Sequence, residues 1–248
     1  MEITVKNLVK KFEKKQVIDD ISVKFSSGNL YCIVGRNGVG KTTLFNALFQ
    51  MIDIDSGEIL YDGINYKNLP PHLRQKMGFS SDSTFLINEL TPFQFLHFTG
   101  RLYGLSTTEI NSRVKDLLSY FFEDWAELTE KKIGILSTGT KKKVSICSAV
   151  LHLPNCLVLD EPFAGLDPIS ANQVLELLQD YKKPNRTIIL SSHDLDYVEK
   201  LDSNIIVLEK GKIIYENTNA EIKKLGKNLD ELIIKLLNTS NPKKLSWM

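Results

Sequence analysis

Long apolar runs are missing from this sequence: none approaches the roughly 18 to 20 residues that a helix needs to cross a bilayer. Its opening stretch, MEITVKNLVKKFEKK, lacks the apolar h-region of a signal peptide. The chain is therefore expected to be cytosolic. Cysteine is scarce too. Cys32, Cys147 and Cys156 stand far apart, form no CxxC pair and have no histidine nearby at metal-ligand spacing. That argues against a disulfide framework and against a zinc site. Their apolar settings, YCIV, SICSAV and NCLVL, read as small buried hydrophobes. An excess of charge is also absent, since 31 Lys+Arg face 30 Asp+Glu for a formal net charge of +1. A dedicated nucleic-acid binder carries a basic surplus, so no nucleic-acid partner is expected. Sustained heptads, the mark of a long coiled coil, are missing as well.

What is present suffices for a large core: 248 residues, 42% of them hydrophobic, fit one large domain or a core with an inserted subdomain. Residues 29 to 35, NLYCIVG, form a short apolar run ending in glycine, followed by KTTLFNALFQMI with apolar residues at helical spacing. This is strand, glycine-rich turn, helix. CLVLD (156 to 160), TIILSS (187 to 192) and NIIVLEKGKIIY (204 to 215) are nearly continuous and β-branched, as strands covered on both faces of a parallel sheet are. Glu209-Lys210-Gly211-Lys212 within the last predicts a hairpin turn. ISANQVLELLQDYKK, followed by Pro184, predicts an amphipathic helix between two of these strands.

From about residue 84 to 150 the texture is helical. Thr91-Pro92 reads as N-cap and first turn of one helix, Thr107 or Thr108 as the cap of a second, and a third is expected near Ser137. Beyond Tyr215, LDELIIKLLN predicts an amphipathic helix of about three turns, in a tail with no identifiable chemistry. The basic run Lys141-Lys142-Lys143 follows a helix start and is expected to be a solvated face.

Chemistry enters with GRNGVGKT at 35 to 42, which fits G-x-x-x-x-G-K-[ST] and stands directly after a strand and at the opening of a helix. The glycines let backbone N–H groups converge on phosphate oxygens, and the helix N-terminus adds its positive dipole end. The candidate contacts are Gly35, Asn37, Gly38, Gly40, Lys41, Thr42 and Thr43. Lys41 reaches the β and γ phosphates, and the Thr42 hydroxyl ligates Mg²⁺. CLVLDEP places Asp160 and Glu161 at a strand's C-terminal end, where open parallel sheets bind ligands. Alone, such a pair reads as a strand end or helix cap; beside a phosphate loop, Asp160 completes Mg²⁺ coordination and Glu161 accepts a proton from attacking water. His193, at the end of TIILSS, reads alone as a structural residue. Beside a Mg²⁺-nucleotide it is a candidate contact to the γ-phosphate or to Glu161.

With these residues in order, the segment ILSTGTKKKVSICSAVLHLPNCLVLDEPFAGLDP (135 to 168) resembles the ATP-binding subunit of ATP-binding cassette (ABC) transporters. The likeness runs from about residue 2 to 215 and includes a Walker A loop, a signature, a Walker B strand, a D-loop and a switch histidine. It implies an α/β fold: a RecA-like P-loop NTPase core with a mixed sheet and an inserted helical subdomain. The expected layout is an ATPase domain over 1–215, with core 1–83 and 151–215 and helical subdomain 84–150, then a short helical tail over 216–248. The resemblance further implies that Ser137 and Gly139 of LSTGT contact the γ-phosphate of ATP held by a second subunit. Thr138 and Thr140 depart there from the usual LSGGQ. Phe12 resembles the aromatic residue that stacks on adenine, or else is an apolar residue of an N-terminal hairpin. Asp82 stands where the family usually has the Q-loop glutamine and sometimes glutamate, which implies a Mg²⁺-linked contact at the nucleotide from which this residue departs.

The function implied is ATP hydrolysis with Mg²⁺, driving a transporter through head-to-tail closure of a homodimer or of a heterodimer with a paralogous ATPase subunit. A separate transmembrane permease subunit is implied, docking near Asp82 and FQFLHF and holding the chain at the inner face of the membrane. Soluble ABC ATPases of translation or DNA repair are the rival class, but they usually carry two cassettes or a long coiled-coil insertion. A kinase could share the phosphate loop, yet would need neither LSTGT nor AGLD at 164 to 167.

Overall fold

A computed structural model describes residues 1–13, 15–81, 86–224 and 228–237. Its centre is a six-stranded sheet built from β3 (Leu30–Val34), β6 (Met77–Ser80), β7 (Cys156–Leu159), β8 (Thr187–Ser192), β9 (Asn204–Glu209) and β10 (Lys212–Thr218). The order is β10-β9-β3-β8-β7-β6, parallel throughout except for the antiparallel β9–β10 pair. The sheet is therefore mixed. Its β9–β10 connection is the two-residue turn Lys210-Gly211, both residues at positive φ, as a tight hairpin requires.

Alternation along the strands divides the core in two. Leu30, Cys32, Val34, Leu157, Leu159, Ile188 and Leu190 face one way, toward the helices; Tyr31, Ile33, Cys156, Val158 and Ile189 face the other. Both faces are buried, so these strands read in sequence as unbroken apolar runs. On the second face lie α1 (Lys41–Leu48) and a four-stranded antiparallel sheet, order β2-β1-β4-β5, made of β1 (Ile3–Phe12), β2 (Lys15–Phe25), β4 (Ser56–Tyr61) and β5 (Ile64–Asn65).

A single turn, α2 (Pro71–Arg74), leads into β6, and between β6 and β7 come α3 (Pro92–Leu102), α4 (Thr107–Phe121) and α5 (Thr138–Val150). Thr91 and Gln94 close α3 with a reciprocal capping box. The second helix is capped by Ser106, not by Thr107 or Thr108. Ser106 accepts from the Glu109 N–H while the Glu109 carboxylate accepts from the Ser106 N–H, a reciprocity that neither threonine could make with Glu109. After β7 come α6 (Pro168–Tyr181), capped by Asp167, and α7 (Leu195–Lys200). Beyond β10 lie α8 (Asn219–Lys224) and α9 (Leu229–Leu236). The last spans eight residues, shorter than expected. No helix among the described residues is long and apolar enough to cross a membrane.

Candidate functional site

The parallel strands β3, β7 and β8 end side by side, and the turns leaving them meet around a cavity of about 390 Å³. Gly40 precedes α1 at φ 113, and a Cβ there would stand 2.8 Å from the Val17 carbonyl. Only glycine meets both demands. Leu44 makes the first intrahelical bond of α1, to Gly40, which leaves the amides of Lys41, Thr42 and Thr43 at the anion-receiving end. Asn37, Gly38, Gly40, Lys41, Thr42 and Thr43 all line the cavity. Gly35 sits behind them, where a Cβ would come within 2.4 Å of the Leu208 carbonyl.

Lys41 is buried, its ammonium donating to the Gly35 carbonyl at 2.7 Å and lying 3.3 Å from Glu161 Oε1. The Thr42 hydroxyl donates to Asp160 Oδ2 at 2.6 Å. The other Asp160 oxygen accepts from Ser191 Oγ, which itself accepts from the Glu161 N–H at 2.9 Å. Glu161 Oε2 accepts from the His193 N–H at 3.2 Å and from His193 Nδ1 at 2.8 Å. An ionised carboxylate only accepts, so Nδ1 carries the proton in this pair and Nε2 is left for other partners. Glu161 Oε1 is buried with no hydrogen-bond partner among the described residues and faces the Lys41 ammonium. At the end of the sheet Glu161 thus faces the Lys41 ammonium while Asp160 accepts from the Thr42 and Ser191 hydroxyls.

That donor set suits Mg²⁺. The cation takes few protein oxygens, commonly one or two carboxylates, and fills its octahedron with phosphate oxygens and water. Thr42 Oγ1 and Asp160 Oδ2 already lie within one hydrogen bond of each other. No cluster of three or more His, Cys, Asp or Glu side chains that could hold a metal by itself occurs among the described residues.

The remaining expected site residues lie elsewhere. Ser137 is exposed as the N-cap of α5, accepting from the Thr140 N–H at 3.2 Å, with the Thr140 hydroxyl 2.9 Å away. Gly139 packs on the loop before α6, where its Cβ position is 3.1 Å from the Gly165 carbonyl. Neither lines this chain's own cavity. Phe12, 46% exposed at the end of β1, lies under Lys10 Nζ at 5.2 Å and outside the lining, which Val17 joins instead. Asp82 lies outside the described residues.

The lysine run does not form a solvated face. Lys142 is buried, donating to the carbonyls of Asp160 at 3.4 Å and Glu161 at 3.1 Å. Lys143 donates to the Phe121 carbonyl and to Ser170 Oγ, 4.4 Å from the Phe122 ring centre, and burial holds its pKa below the ordinary lysine value. Carbonyls at helix and strand ends take the place of water around these ammoniums. A signal for Lys142 exists in the sequence: it shares one helical face with Ile146 and Ala149, both buried. Ser191 was also missed, because a serine ending an apolar strand looks like any strand terminus. The three cysteines are buried and free, and burial raises Cys32 and Cys156 to about 12, far from any reactive thiolate.

Comparisons with known proteins agree with this geometry. A family model described as ABC transporter matches residues 18–164. The ABC transporter ATP-binding protein NatA of Bacillus subtilis is 33% identical over 218 residues, covering 86% of this chain and 88% of that protein. The energy-coupling factor transporter ATP-binding protein EcfA2 of Clostridium tetani is 32% identical over 85% of this chain and 75% of its own length. A solved ATP-binding subunit of an ABC transporter superposes with a TM-score of 0.85 at 28% identity, over 95% of this chain and 99% of that one. A dimeric cassette bound to ADP and phosphate shares the fold, with a TM-score of 0.78 at 23% identity over 88% of this chain and 98% of that one.

Proposed function

The chain belongs to the ABC transporter family as an ATP-binding subunit with ATPase activity, and from that premise we propose how its residues divide the work. The observation that carries the reading is the meeting of Lys41, Thr42, Asp160, Glu161 and His193 around one cavity at the ends of β3, β7 and β8. Lys41 and the first amides of α1 bind the β and γ phosphates of ATP. Thr42 and Asp160 would hold Mg²⁺, which supplies charge neutralisation on the phosphates when bound. Glu161 takes the proton of the attacking water. His193 Nδ1–H orients its carboxylate, leaving Nε2 to meet the γ-phosphate. Phe12, beside the same end of the antiparallel sheet, stacks on adenine.

Two cassettes, identical or paralogous, close head to tail, and Ser137 and Gly139 of each complete the cavity of the other. Support comes from their position: they open a helix whose N-cap is exposed at the surface and outside this chain's own cavity, and a helix N-terminus receives anions. Residues 1–83 and 151–215 act as the nucleotide-binding core, 84–150 as the helical subdomain and 216–248 as a tail. The transmembrane partner docks in the apolar groove of about 460 Å³ between α1 and α3, where Met51, Phe98 and Leu102 are exposed, with Asp82 close in sequence to its rim. That contact places the chain on the cytoplasmic face of the membrane.

The test is a pair of substitutions. Lys41→Ala is expected to abolish nucleotide binding or turnover. Glu161→Gln is expected to keep binding while slowing hydrolysis about 10²- to 10⁴-fold, the usual loss of a general base. It should also accumulate an ATP-bound dimer in light scattering. Unchanged turnover in either variant, or a strict monomer with ATP bound and hydrolysis stopped, counts against the reading.

A further inference from the structure

Lys142 is a buried charge to which the scheme above gives no task. It lies on α5, 3% exposed, on the same face as Ile146. Burying an ammonium is costly unless its donors are satisfied, so its presence on an apolar face needs a reason. Among the groups it reaches are the carbonyls of Asp160 and Glu161.

Glu161 has a left-handed backbone, φ 49. A non-glycine residue holds that conformation only where its surroundings over-determine it. Its backbone is restrained on both sides. Its N–H donates to Ser191 Oγ at 2.9 Å, and Ser191 is itself tied to the Asp160 carboxylate. On the other side its carbonyl accepts from the Ala164 N–H at 3.2 Å within the turn and from Lys142 Nζ at 3.1 Å, the one of the two that reaches it from another element. Relaxing the carbonyl side toward right-handed φ would rotate the Cα–Cβ bond and carry the carboxylate away from Lys41 and His193, now 3.3 and 2.8 Å from it.

We propose that Lys142 is a positioning residue for the Glu161 carboxylate. By donating to the Asp160 and Glu161 carbonyls it locks the left-handed turn that aims Glu161 into the cavity. It also ties that turn to the helix that opens with Ser137 and Gly139, so a shift of α5 on engagement of a second cassette is felt at the base. The inference rests on Glu161 as the proton acceptor. It separates two effects: the phosphate loop touches Lys142 nowhere among the described hydrogen bonds, so hydrolysis depends on this lysine while nucleotide affinity does not.

The experiment compares Lys142→Met, which keeps length and removes the donors, with Lys142→Arg, which keeps donors and charge, and with Glu161→Gln, all in the full chain. The expected result for Lys142→Met is a kcat lower by about 10- to 100-fold, the usual cost of misplacing a reacting group by an ångström, with KM and nucleotide affinity within about twofold. Lys142→Arg should recover most of that loss. If Lys142→Met does not fold, Lys142→Gln replaces it with the same expectation. Wild-type kcat in the Met variant while Glu161→Gln is slow overturns the proposal alone. So does affinity falling in step with kcat, or an Arg variant as slow as the Met variant. Wild-type turnover in Glu161→Gln overturns the base assignment and this proposal with it.

Discussion

Gly38 and Gly40 stand two residues apart in the phosphate loop, and a methyl group added to each meets different surroundings. At Gly38, φ is 80 and nothing lies within 4 Å of the added carbon; at Gly40, φ is 113 and the Val17 carbonyl is 2.8 Å away. Gly38→Ala therefore costs backbone strain alone, about 1–2 kcal/mol, and should weaken nucleotide binding roughly tenfold. Gly40→Ala must also push the loop off β2, so its affinity is expected to fall at least about another tenfold. Titration with a fluorescent ATP analogue checks this, and equal affinities for the two variants would contradict it. The glycines, Lys41 and Thr42 were legible in the sequence because a phosphate loop is made of consecutive residues whose spacing is the chemistry. Ser191 and Lys142 were not. Each acts on the Asp160–Glu161 turn from another element, and only the sheet order and the packing of α5 bring them there.

At the scale of elements, the junction of α3, α5 and β6 carries a pH dependence. His152, just beyond α5, stacks on Tyr103 at 3.6 Å and shares a hydrogen bond of 3.0 Å with the Met77 carbonyl through Nε2. A carbonyl accepts, so Nε2 holds the proton, and buried Nδ1 has no partner among the described residues. Burial pushes the imidazole pKa down to about 4. The folded chain thus declines a proton that the unfolded chain accepts near 6.5, and stability falls as pH drops from about 6.5 toward 4. Between pH 7 and 5 the loss from this residue is about 2 kcal/mol. Urea unfolding at the two pH values should show it in the wild type and not in His152→Gln, which keeps an N–H for Met77; parallel losses in both would assign the effect elsewhere. The sequence announced β3, β7, β8 and β9 through nearly continuous apolar runs, α1, α6 and α9 through helical spacing, and the β9–β10 turn through Lys210-Gly211. It misplaced the α4 cap by one or two residues, since Ser106, Thr107 and Thr108 are chemically alike and only the partner at Glu109 distinguishes them.

At the scale of the whole molecule, the Val17 carbonyl on β2 is a wedge between two distant turns. The Cβ position of Gly40 lies 2.8 Å from it and that of Gly211, in the β9–β10 hairpin, 2.6 Å; Asp19, two residues on, donates its N–H to the Gly211 carbonyl and pairs with Lys212 at 3.0 Å. The antiparallel sheet thus braces the phosphate loop from one side while the far edge of the central sheet braces the antiparallel sheet. These contacts join segments near the two ends of the described chain, and pairings of such long sequence separation form slowly. Refolding is the setting in which this shows. Helical circular dichroism depends on local segments and should return first, whereas affinity for nucleotide should return only when both sheets have docked around Val17. A stopped-flow refolding series followed by far-ultraviolet signal and by binding of a fluorescent ATP analogue will test it: a single shared rate would mean that the loop takes its shape without the brace, and a lag in binding makes the phosphate loop a reporter for the last long-range contact to close.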